Sequence, residues 1–314
     1  MSERLGLRAG WDAAIARLSR PLPPRSFGVT LGSVAIFLIA VQAATGALLA
    51  VYYVPSWSEA HASVARIAKD VEFGWLIRSV HVWSAHLLVA VVLLHLARTF
   101  FRGAYAKPRE GTWIAGVVLF LLLMGAAFTG QMLPMDDEAV KGASIGAAYA
   151  GEMRVSELVK GGTRVGQPML TRMFAMHVIW IPAGLLLVIA AHVALVARHR
   201  LQGAETLEGS SPQFPRLLGL SILAAAALVA ILAFVRPAGI GPAPGDSTSA
   251  KPFWMFLPVY QAAKFVSGPG TLLLLIGPPT FLLAIPFIPR RIAVFLFVLF
   301  GAGALALGIF GALS

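Results

Sequence analysis

The sequence predicts an all-α integral membrane protein, a four-helix bundle followed by three further transmembrane helices. Three observations carry that prediction. Hydrophobic residues make up 58% of 314 and charged residues only 12%, and several apolar runs exceed the roughly 20 residues needed to cross a bilayer. Basic residues cluster at the ends of those runs, the pattern of positive-inside orientation. Histidines recur inside two of the runs at nearly one spacing, and ionisable residues within a span point to function.

The first 26 residues have no apolar signal-type region and carry Arg4, Arg8, Arg17, Arg20 and Arg25. Residues 1–28 therefore read as a basic amphipathic segment on the membrane surface and not as a cleavable signal. Spans are expected at about 29–54, 75–101, 112–133 and 172–197, together the unit 29–198. Residues 199–214, with Gln202, Gly203, Glu205, Glu208, Gly209, Ser210, Ser211 and Pro212, break the apolar pattern as a linker. The unit 215–314 then adds spans at about 215–235, 268–288 and 291–312. Arg98, Arg102, Lys107 and Arg109 follow the second span, Arg198, Arg200 and Arg216 the fourth, and Arg290 and Arg291 lie between the last two. All belong with the N-terminus on the cytoplasmic side of a bacterial inner membrane, and an odd number of spans leaves the C-terminus outside. The same distribution explains the net charge of +11 without nucleic acid.

His81 and His95 are 14 residues apart in the second span, and His177 and His192 are 15 apart in the fourth. Fourteen residues cover roughly 21 Å and two heptads, so the paired imidazoles point the same way in a left-handed bundle. Two such helices facing each other offer two bis-imidazole sites, one above the other, a mount for two b-type haems. The absence of cysteine excludes thiolate-held iron–sulfur clusters and thioether attachment of haem, so both haems would be non-covalent. Gly32 and Gly46 in the first span, and Gly116 and Gly130 in the third, repeat the 14-residue step. They read as clearance for haem, with small-residue helix packing as the alternative. Pro182 falls between His177 and His192 and can open a wide turn that absorbs the extra residue. Arg78 and Arg98 sit one turn outside His81 and His95, placed to pair with haem propionates or simply to snorkel. His61 and His199 read as interfacial. His86, about 140° around the helix from His81, reads as hydrogen-bonded within the bundle.

The stretch Gly74-Trp75-Leu76-Ile77-Arg78-Ser79-Val80-His81, with Gln42-Ala43-Ala44-Thr45-Gly46, Lys107-Pro108-Arg109-Glu110 and Leu170-Thr171-Arg172, resembles the cytochrome b family of quinol–cytochrome c and quinol–plastocyanin oxidoreductases. The 15-residue step and seven spans look most like the photosynthetic branch, with its four-helix cytochrome and three-helix partner fused in one chain. The resemblance covers nearly the whole length and is strongest over the first four spans. It implies that His81 and His177 hold the outer haem iron, and His95 and His192 the cytoplasmic-side one. That branch binds a third haem through a cysteine where Thr30 stands here. The family's outer quinol site carries Pro-Glu-Trp-Tyr, whose glutamate can accept a proton; the matching residues are Pro252, Phe253, Trp254 and Met255. Phenylalanine cannot carry a proton. Leu133-Pro134-Met135-Asp136-Asp137 is altered too, and Asp136, Asp137 or Asp246 are the candidate substitutes.

The leading expectation is a dihaem electron-transfer subunit of a quinone-linked redox complex, exchanging electrons with quinone near the cytoplasmic-side haem. A second keeps the complete oxidoreductase, with a rearranged outer quinol site and a Rieske iron–sulfur partner; c-type cytochromes are the other partner class. A third, a transporter with histidine proton relays, leaves the matched glycine spacing unexplained.

Overall fold

The computed structural model describes residues 30–152, 157, 161, 165–201, 214–244 and 251–313. The N-terminal basic segment, most of the linker, and Asp246 lie outside the described residues. Seven helices are long and apolar enough to cross a membrane, in the seven places expected, and the described residues contain no strand.

Helix α1 spans Leu31–Tyr52 and α3 Gly74–Phe101, with the short amphipathic α2, Ala60–Lys69, between them. Helix α4 covers Glu110–Met132, followed by α5, Asp137–Glu152. The fourth span is one rod in three parts: α6 Gln167–Ala175, a π-turn Met176–Trp180, and α7 Ile181–Leu201. Helix α8 spans Phe214–Val235, α9 Leu257–Ala263, α10 Pro269–Ala284 and α11 Arg290–Leu313.

The π-turn accounts for the 15-residue step. Ile181 N–H bonds back five residues to Met176 O, the signature of one residue inserted into an α-helix. Pro182 follows immediately and has no N–H to donate, so the wide turn forms where an α-helical bond is already forfeited. His177 lies within it.

Helix α1 packs along α3, and α4 along α6 and α7. Gln42 clasps the first pair, donating through Nε2 to His81 O and to Ser84 Oγ, each at 2.6 Å. Helix α8 joins α1 and α3 through a core of Val34, Leu38, Leu88, Val89, Ala225 and Val229. Thr30 is buried there, its hydroxyl 2.8 Å from Ser221 Oγ on α8. At the opposite end of α3, Phe100, Tyr105, Trp113 and Val117 pack with Ile285 and Ala293, and Trp113 Nε1 donates to Leu282 O at 2.7 Å. The last three spans thus share cores with the first four.

Candidate functional site: two histidine levels in the bundle

Helices α3 and α6–α7 run in the same direction, and α1 and α4 run against them. That geometry pairs each histidine with one glycine. A methyl group added at Gly46 would lie 3.2 Å from His81 Cε1, and one at Gly32 3.3 Å from His95 Cε1. Across the bundle, Gly116 stands 3.3 Å from His192 Cε1 by the same measure, and Gly130 only 2.5 Å from His177 Cε1. The room the glycines leave is taken by the imidazoles themselves, because helices this close leave space for a ring only where the facing residue has no side chain. The four glycines thus back the histidine rings, and the contact they make is between helix and imidazole.

His81 and His177 form the first level. Their ring centroids are 6.3 Å apart and their planes meet at 78°. The protein fixes both tautomers. Thr45 Oγ1 gives its hydrogen to Val41 O at 2.7 Å, so its oxygen accepts from His81 Nδ1–H at 2.9 Å. A carbonyl can only accept, so His177 Nδ1–H donates to Ala126 O at 3.0 Å. Both Nε2 atoms are left with a free lone pair, the state of a neutral imidazole ligand.

His95 and His192 form the second level, backed by Gly32 and Gly116. Their Nδ1 atoms are buried and make no hydrogen bond of normal geometry, although the Thr112 backbone faces His192. Each level offers two imidazoles. That set suits a metal whose other ligands arrive with a cofactor, and the described residues hold no cluster of three or more metal-ligating side chains.

Arg78 is buried, and its guanidinium donates to Ala238 O and, at 2.9 Å, to Gly239 O. The same loop is held by His61 Nε2, 3.0 Å from Gly241 O, and by Asp136 Oδ2, which accepts from Gly241 N–H at 3.2 Å. Asp136 Oδ1 also caps α5 through Ala139 N–H at 2.9 Å, and Asp137 is paired with Lys141 at 2.5 Å. Both aspartates thus have hydrogen-bond partners within this end of the bundle. Their neighbour Glu138 escaped the sequence reading. Burial around its carboxyl, then the charges of Asp136 and Asp137, raise its pKa although the side chain reaches the surface.

The motif at 252–255 folds against α3. Trp254 Nε1–H donates to His86 Nδ1 at 3.0 Å, and the Phe253 ring meets His86 edge-on at 5.0 Å. Phe128 of α4 meets Phe256 at 6.0 Å. His86 is hydrogen-bonded as expected, but to a residue 168 positions away. His199, read as interfacial, is buried, with Nδ1 3.2 Å from Thr112 Oγ1. It lines a cleft of about 240 Å³ with Pro108, Gly111, Leu195 and Arg198, two turns beyond His192.

Residues 20–200 match the family model described as cytochrome b/b6/petB. The chain belongs to the cytochrome b/b6 family. Family membership implies haem b. The chain is 36% identical over 291 residues to a cytochrome bc complex cytochrome b subunit of Chlorobaculum thiosulfatiphilum, covering 85% of this chain and 67% of that one. It is 35% identical to the menaquinol:cytochrome c reductase cytochrome b subunit of Geobacillus thermodenitrificans, covering 65% of this chain and 96% of the other. A solved structure, titled hyperthermophilic respiratory Complex III, superposes with a TM-score of 0.79 at 26% identity, over 92% of this chain and 85% of that one.

Proposed function

We propose that this chain is the dihaem cytochrome b subunit of a quinone-linked membrane redox complex, carrying electrons between the two faces of the bilayer. The paired levels carry that reading: four histidines, each backed by its own glycine. His81 and His177 would hold one haem iron and His95 and His192 the other. At the first level the two rings stand 6.3 Å apart, centroid to centroid, and would hold the iron between them. Haem b bound there would supply a one-electron relay. The chain's part is to hold the ligand rings at two depths, present them as neutral Nε2 donors and keep water out of the bundle. Arg98 lies one turn beyond His95, where its charge suits a propionate. Arg78 occupies the corresponding place at the first level, with its donors engaged by loop carbonyls.

Quinone exchange is assigned to the second-level end, which positive-inside charge puts on the cytoplasmic side. The cleft of Arg198 and His199 supplies hydrogen-bond donors and an apolar wall for a quinone head group. The partners proposed are a Rieske iron–sulfur protein or c-type cytochromes on the outer side; the names of the relatives mention a cytochrome bc complex and cytochrome c. A second reading, in which the outer half also takes quinol, is favoured by one observation. Although the motif glutamate is replaced by Phe253, the segment still seats its aromatic side chains between α3 and α4.

Purified chain, extracted with acid–acetone and assayed as pyridine haemochrome, is expected to give two extractable haems b per chain. One haem or none overturns the proposal.

A further inference from the structure

His86 belongs to neither histidine level. It lies five residues after His81, on a different face of α3, and its ring is half-buried among Trp83, Phe253 and Trp254. An indole N–H can only donate, so in the 3.0 Å bond from Trp254 the acceptor is His86 Nδ1. The neutral ring must then carry its proton on Nε2, and among the described residues nothing accepts a hydrogen bond from that atom. His86 sits 12 residues into a 28-residue span, roughly 18 Å from its start. Water is scarce at that depth, and an N–H without an acceptor there is unfavourable. Ester carbonyls of phospholipids lie at the bilayer edge, out of reach. A molecule dissolved in the hydrocarbon can bring the missing acceptor to that atom, and the flat aromatic walls of Trp83, Phe253 and Trp254 favour a planar one.

We propose that His86 is a substrate-binding residue of a quinone subsite beside Phe253 and Trp254, its Nε2–H donating to a carbonyl oxygen of the head group. This rests on the second reading above. The Trp254 bond has a further consequence. With the Nδ1 lone pair engaged, His86 holds the oxygen as a donor and is not the base that replaces the missing glutamate. A quinone seated here is gripped but meets no proton acceptor at position 86 or 253.

The test is photolabelling of the purified complex with an azidoquinone, followed by mass-spectrometric mapping of the labelled peptides. In the unaltered complex, label is expected on the peptide containing Phe253–Met255, reduced by excess unlabelled quinone and unchanged by added phospholipid. His86→Phe should lower that labelling about fivefold, the worth of one hydrogen bond. His86→Gln, whose amide N–H also donates, should keep it within about twofold. Both variants should retain the haem absorption of the parent, which shows that they fold. If the unaltered complex takes no label at 253–255, the outer-site reading fails and His86 with it. If label appears there equally in parent and His86→Phe, or if His86→Gln falls as far as His86→Phe, the outer site stands and the role of His86 is wrong. Loss of label to phospholipid alone makes this a lipid site and also overturns the proposal.

Discussion

The two histidine levels share one backbone plan and differ in what lies behind the rings. At the first level both Nδ1 atoms are hydrogen-bonded, His81 to the Thr45 hydroxyl and His177 to the Ala126 carbonyl. At the second, the Nδ1 atoms of His95 and His192 are buried without a bond of normal geometry. A donating Nδ1–H fixes the tautomer, fixes the ring and makes Nε2 more electron-rich. The first level is therefore pre-set by hydrogen bonds, whereas the rings of the second are held by glycine-backed packing. The tighter contact is also at the first level, where Gly130 closes on His177.

The largest effect comes from removing the rings. His81→Ala or His177→Ala is expected to halve the haem content by emptying the first level alone, and His95→Ala or His192→Ala to empty the second alone. Haemochrome assay with reduced-minus-oxidised spectra reads this directly. If an α3 substitution and an α6–α7 substitution at one level remove different haems, the pairing is wrong.

Next come the glycines. Gly130→Ala would place a methyl group 2.5 Å from His177 Cε1, against 3.2–3.3 Å for the added methyl groups at Gly46, Gly32 and Gly116. Overpacking of that kind costs about 1–3 kcal/mol, so Gly130→Ala should lower haem retention on thermal challenge most. Gly125→Ala meets only Ile181 Cδ1 at 3.5 Å, an ordinary contact, and should behave like the parent. Equal behaviour of Gly130→Ala and Gly125→Ala would return these glycines to ordinary helix packing.

Thr45→Val tests the asymmetry itself. It keeps the volume and removes the acceptor for His81 Nδ1. A less electron-rich ligand favours the ferrous state, so the first-level midpoint potential should rise by about 20–60 mV while the second-level one stays put. A redox titration resolving the two haems checks it, and a shift confined to the second level would reverse the assignment.

The seven spans, the two levels and the place of the wide turn were legible because each leaves a one-dimensional trace: apolar length, a 14-residue step, a proline. What was missed depends on contacts between distant segments. Helices α2 and α5 are too short and too polar to stand out in a hydropathy pattern, although they carry His61 and Glu138. Thr45 looks like any helix threonine until its hydroxyl is found spent on Val41. His199 could be read as interfacial because only the fold brings Pro108, Gly111 and Thr112 over it. The partners of Arg78 are backbone carbonyls about 160 positions away, and no side-chain pattern announces a backbone acceptor.

Arg78 supplies the smallest expected effect. Its fork holds the carbonyls of Ala238 and Gly239, and so ties the segment after α8 to the start of α3, one turn before His81. A lysine keeps the charge but presents a single ammonium in place of the planar pair. Arg78→Lys should thus loosen residues 238–241 without releasing them, because His61 and Asp136 still grip Gly241. The expected loss is about 1 kcal/mol of local protection, read as roughly fivefold faster amide exchange at 238–241. Exchange near His95 and His192 should not change, since the clamp touches only the first-level end. Faster exchange at both ends would mean that Arg78 supports the whole bundle, and the separation of the two levels would then be less complete than their hydrogen bonding indicates.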